Sequence, residues 1–202
     1  MKLLGRRSIA ILITVVVVIV ATLLGVYSTT GRYTREVEAL FYDGIYLEDQ
    51  GFTQRGINSH LENSANAALG LATLLESYPE LSGYAESLLT ARRDLMAAGS
   101  ISAKEQAALE MRDGFINLLE TARDVDLIER DKEAAAKFYS TFNGALIAIS
   151  DSRYNDAVSA HINAQNAVLR LIGYFISADQ PAFFTKLSPL YFGEPTWLWE
   201  RS

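Results

Sequence analysis

The chain has 202 residues, 50% of them hydrophobic, with no Cys and a formal net charge of −6. Its size suits one ordinary domain plus one hydrophobic extra, and the missing Cys leaves no disulfide framework or thiol chemistry. After the first 27 residues, 15 basic groups stand against 24 acidic ones, a net of −9, which argues against nucleic acid as a partner.

Residues 1–7 carry Lys2, Arg6 and Arg7, and residues 8–27, SIAILITVVVVIVATLLGVY, carry no charge. At 1.5 Å rise per residue the uncharged stretch matches the roughly 30 Å hydrocarbon layer of a bilayer. It reads as a transmembrane anchor and the chain as single-pass, with the lipid bilayer as its first partner. A cleaved signal peptide is the rival reading. Signal cores run about 7 to 15 apolar residues, and no Ala-x-Ala follows this one. The basic residues before the span, against Arg32 and Arg35 mixed with Glu36 and Glu38 after it, place the N-terminus in the cytoplasm and the remainder outside.

Residues 28–178 are expected to form a helical bundle, because apolar residues recur at three- and four-residue steps throughout. Val37, Leu40, Phe41, Gly44 and Ile45 carry the anchor helix on to about Glu48. Ile57, Leu61, Ala65, Ala68, Ala72 and Leu75 make a second helix ending near Pro79. Leu81, Tyr84, Leu88, Leu89, Leu95 and Met96 make a third that stops at Gly99 and Ser100. Ser102 to Glu105 reads as a capping box opening a fourth, which Leu109, Ile116, Leu119 and Ala122 continue to the acidic group Asp124, Asp126, Glu129 and Asp131. From Lys132 the pattern resumes through Ala135, Phe138, Phe142, Leu146 and Ile149 into Tyr154, Val158, His161, Val168 and Ile172. The fold class is therefore all-α: a transmembrane helix continuing into an antiparallel up-and-down bundle of long helices. Residues 179–202 differ, since Pro181, Pro189 and Pro195 stand among Phe183, Phe184, Tyr191, Phe192, Trp197 and Trp199. They are expected to form an irregular aromatic tail that packs across the bundle or rests on the membrane surface. For Trp197 and Trp199, contact with the membrane interface or a partner is as plausible as packing.

The stretch SRYNDAVSAH at 152–161 is the densest group of chemistry-bearing residues. On a helix, Tyr154, Ala157, Val158, His161 and Val168 share one side, whereas Asp156 lies about 140° from His161, so the two do not act together locally. Arg153 and Asp156 are i,i+3 neighbours on the outside. A packed histidine outweighs a ligand or base at His161, and His60 stands alone, without a His-Glu-x-x-His or Glu-x-x-His pattern. The acidic group DVDLIERD lacks the Gly and terminal Glu of a calcium loop and reads as a solvated face. With no phosphate-binding Gly loop and no nucleophile elbow, the chain reads as no enzyme, with no cofactor and no metal.

Arg153, Tyr154, Asn155, Asp156 and Val158, with the N-terminal span, the helical remainder and the late Pro189-Leu190-Tyr191-Phe192, resemble the LemA family of bacterial membrane-anchored proteins. The second Tyr-Asn pair of that family is replaced by His161-Ile162-Asn163, which sets His161 in an aromatic position, and the family's Arg-Arg-x-x-Leu-Ile-Pro-Asn segment is reduced to Gln54-Arg55-Gly56-Ile57-Asn58. The resemblance implies a bundle of long helices rising from the membrane, and little chemistry. The expectation is a protein of the bacterial envelope that works as a scaffold through contacts with other membrane or envelope proteins, with room for a homo-oligomer. The alternative is an extracytoplasmic sensor that binds a small molecule between helices and signals through a partner, because seven residues before the span are too few for an output domain.

Overall fold

The computed structural model describes residues 13–18, 20–21, 32, 34–48, 51–172, 182–185, 187 and 189–190, without the side chains of 164–172. The chain divides into two compact units, one of Met1–Glu38 with Ala157–Pro181, the other of Ala39–Asp156 with Ala182–Ser202. Residues 34–43 are helical. They are followed by β1 (Ile45–Leu47), β2 (Phe52–Gln54), α1 (Ile57–Leu75), α2 (Ser82–Ala97), α3 (Ile101–Ala122), α4 (Glu129–Ser150) and α5 (Tyr154–Ile172). The architecture is mostly helical, as expected.

In the second unit, α1 to α4 form a four-helix bundle. Residues 76–81, 98–100 and 123–128 are the short connections that reverse the chain. Side chains knit neighbouring helices together, and the pair across the first turn, Ala65 and Arg92, lies at equal distances from it, as antiparallel helices require. The Arg92 guanidinium of α2 donates to the Ala65 carbonyl of α1 at 3.0 Å, Leu88 lies against Gly114 of α3, and Phe115 of α3 stacks on Phe142 of α4 with centroids 3.9 Å apart. On α1, Gly70 lets the Phe138 ring of α4 come so near that a Cβ there would overlap it. The core is apolar and well patterned. Ile57, Leu61, Ala65, Ala68, Ala72 and Leu75 are all buried, as are Leu81, Leu88, Leu95, Leu119, Ala135, Phe142, Leu146 and Ile149, each large side chain contributing about 1.5–3 kcal/mol of burial. Tyr84 and Met96, placed on the inner stripe by spacing, are instead exposed.

Four expectations are corrected. The helix entering the bundle does not run to Glu48; it stops at Asp43, where Gly44 takes φ +93, a conformation that glycine adopts without penalty. The chain then makes an antiparallel hairpin, pairing Ile45 with Gln54, Tyr46 with Thr53 and Leu47 with Phe52. Gly51, with φ +69, closes the turn by donating its N–H to the Leu47 carbonyl at 2.8 Å. Secondly, α3 is capped two residues earlier than expected. The Ser100 hydroxyl accepts the Ala103 N–H at 3.2 Å, which brings Ile101 into the helix and buries it. Thirdly, the apolar periodicity across 146–158 hides a break at 151–153. There Asp151 ends α4, and the Ser152 hydroxyl accepts the Tyr154 N–H at 3.2 Å, a local bond that competes with helix continuation. Finally, the acidic group is not uniformly solvated, because Asp131 is only 5% exposed.

In the first unit, residues 13–18, 20 and 21 are helical, and Ile13, Val15, Val16, Val17, Val18 and Val20 are each about half exposed. Most of the expected span at 8–27 lies outside the described residues, and among the described residues no helix is long and apolar enough to cross a membrane. Val158 is fully buried, and His161 is half-buried with its Nε2 3.5 Å from the hydroxyl of buried Thr34.

Candidate functional site

The most developed polar arrangement lies in the second unit, where helices hold a piece of chain that has no secondary structure of its own. Residues 182–185, 187, 189 and 190 are non-helical. A main chain without a ladder must find partners elsewhere for its N–H and C=O groups, and here side chains of α3, α4 and α5 supply them. The Asn155 amide donates to the Phe184 carbonyl at 2.8 Å, and its Oδ1 accepts the Phe184 N–H at 3.0 Å, so one side chain satisfies both main-chain groups of one residue. The Tyr154 hydroxyl donates to the Ala182 carbonyl at 2.9 Å. Glu105 accepts the Thr185 N–H at 2.6 Å, and Asn143 accepts the Leu190 N–H at 2.9 Å. The Glu105 bond is short, as charge-assisted bonds are.

Apolar anchors accompany these bonds. Phe184, Leu187 and Leu190, three residues apart, are buried, while Phe183 remains 40% exposed. Phe184 packs on Phe41 at 5.4 Å between centroids, and Phe41 meets the Tyr154 ring edge-on at 5.6 Å. The strap is therefore read through its backbone and positioned by three side chains.

The break at 151–153 places this machinery. By starting α5 at Tyr154, it puts Tyr154 and Asn155 in the first turn. The hairpin fixes the break in turn: Gln54 donates to the Asp151 carbonyl at 3.4 Å and accepts the Arg153 N–H at 3.3 Å. Gly44 and Gly56 make the hairpin fit, since a Cβ on Gly44 would strike the backbone of residues 54–56 and one on Gly56 the backbone of Phe41 and Tyr42. Asp156 is exposed in the first turn of α5, where a negative charge suits the helix N-terminus.

Of the residues singled out by sequence, Tyr154 and Asn155 thus belong to one site, with Arg153 beside it through its backbone and Pro189 half-buried on the strap next to Leu190. Val158 and His161 belong to the other unit, and Tyr191, Phe192, Trp197 and Trp199 lie outside the described residues. Sequence reasoning missed Glu105, Asn143 and Gln54. Glu105 sits on the buried side of α3 with Ile101, Ala108 and Phe115, and Asn143 sits between Tyr139 and Leu146 on the buried side of α4. A polar residue on an apolar stripe was the available signal.

A second polar arrangement ties the first helical turn of α4 to the α1–α2 connection. The Tyr78 hydroxyl donates to Asp131 Oδ2 at 2.8 Å and accepts the Ile128 N–H at 3.4 Å. Burial, followed by the bond to Asp131, raises the Tyr78 pKa. On α1, burial and then nearby Arg55 lower the His60 pKa. An open groove of about 500 Å³ on α2 and α3 is lined by Glu86, Ser87, Thr90, Asp94 and Glu110 among others. Among the described residues no group of three or more His, Asp or Glu is placed to hold a metal ion.

Comparison with protein-family models, curated proteins and solved structures finds no match.

Proposed function

We propose that this is a non-enzymatic, single-pass membrane protein of the bacterial envelope, LemA-like in kind, whose helical bundle works as a scaffold through protein contacts. The observation that carries this reading is the capture of main-chain groups by Tyr154, Asn155, Glu105 and Asn143, a manner of holding polypeptide that suits protein recognition. Anchoring is supported by the uncharged stretch at 8–27 and by the half-exposed Ile and Val side chains within it, which suit lipid better than water. The N-terminus is cytoplasmic and the bundle extracytoplasmic.

Purification of the full chain from membranes in mild detergent, followed by mass spectrometry, tests the scaffold role. Stable co-purifying envelope proteins are expected, and recovery of the protein alone contradicts the reading. A reporter fused to the C-terminus tests topology, with activity expected only from a reporter that works outside the cytoplasm.

The sensor reading has one feature in its favour, the open groove on α2 and α3. Its carboxylates and hydroxyls suit a small cationic ligand. Titration calorimetry with a polyamine checks it, and heat no larger than that of dilution removes it.

A further inference from the structure

We propose that the strap is exchangeable, so that residues 182–190 of one copy occupy the Tyr154, Asn155, Glu105 and Asn143 groove of a second copy. The partner is another molecule of this chain, and the proposal rests on the membrane anchoring argued above.

Three observations carry it. The groove recognises five main-chain groups, on Ala182, Phe184, Thr185 and Leu190, together with buried Phe184, Leu187 and Leu190. A second copy supplies the same set in the same register. The second unit is also discontinuous: its chain ends at Asp156 and resumes at Ala182, the intervening residues being counted in the other unit. Within that unit the strap is held to the bundle by non-covalent contacts alone. Because cis and trans occupancy make identical contacts, the two differ mainly in closure entropy and local concentration. Copies confined to one membrane meet at raised effective concentration, which favours exchange.

The absence of native Cys allows a direct test on the full-length chain in membranes. Two differently tagged versions are co-produced. One carries Ser102→Cys, at an exposed position one turn before Glu105 on α3, and the other carries Thr185→Cys, at an exposed position on the strap. Both are treated with a short bis-maleimide. Exchange predicts a covalent heterodimer bearing both tags. The heterodimer falls to background when Asn155→Ala is added to the Ser102→Cys chain, and equally when Leu187→Asp is added to the Thr185→Cys chain. A control chain carrying both cysteines reports cis occupancy. If it yields only the intrachain product while the membrane-bound mixture yields no heterodimer, exchange is overturned. Recovery of the protein in the soluble fraction overturns the anchoring premise instead, and the two failures are told apart by fractionation before cross-linking.

Discussion

The four-helix bundle and the C-terminal strap are held by opposite means. In α1 to α4 the backbone satisfies itself, and stability comes from apolar side chains packed on one another, as where Phe115 stacks on Phe142. In the strap, main-chain groups of Ala182, Phe184, Thr185 and Leu190 are bonded by side chains of α3, α4 and α5. The difference teaches that the two should fail separately. Core truncation unfolds the bundle as a unit, whereas removal of a clamping side chain frees the strap and leaves the helices in place.

Phe142→Ala should have the largest effect. It removes a fully buried ring and its stacking partner's contact, which should cost about 3–5 kcal/mol, read as a fall in the thermal midpoint of far-ultraviolet circular dichroism. Asn155→Ala should cost roughly 2 kcal/mol, because it leaves the Phe184 N–H and carbonyl without partners. Its signature is rapid proteolytic cleavage in 182–190 with the circular dichroism spectrum of the helices unchanged. Cleavage within α1 to α4 at the same rate would break the contrast.

Tyr78→Phe probes a polar contact that belongs to the bundle and not to the strap. Loss of the hydroxyl leaves buried Asp131 short of a bond, and a loss of about 1–2 kcal/mol in urea unfolding is expected, with cleavage in 182–190 unchanged. The smallest effect concerns His60. Burial and Arg55 hold its folded-state pKa below the ordinary 6.5, so below pH 6.5 the unfolded chain binds more protons than the folded one. Stability should therefore fall as pH drops below 6.5 and level off under the folded-state pKa, and His60→Gln should flatten that part of the profile.

The same contrast explains what could be read in advance. Stripes such as Ile57, Leu61, Ala65, Ala68, Ala72 and Leu75 announce their helix because burial and periodicity coincide over many turns. The hairpin was hidden because strands of three residues are too short to display alternation, and Ile45 also fits the preceding helical stripe. Sequence does not single out the cap of α3, because Ser100 and Ser102 both offer a hydroxyl, and burial of Ile101 decides between them. Tyr154 and Asn155 stand out in the sequence as a motif, but their role depends on a break that apolar spacing conceals and on partners 28 and 29 residues away. Glu105 joins the same site from 80 residues away. Contacts of that kind have no period and leave no local trace.

Amide hydrogen exchange of the full-length protein tests the central claim most directly. The clamp predicts slow exchange at the Phe184, Thr185 and Leu190 amides, although they belong to no helix or sheet, and selective loss of protection at Phe184 in Asn155→Ala while α1 to α4 remain protected. Rapid exchange of all three amides in the unaltered protein would contradict it.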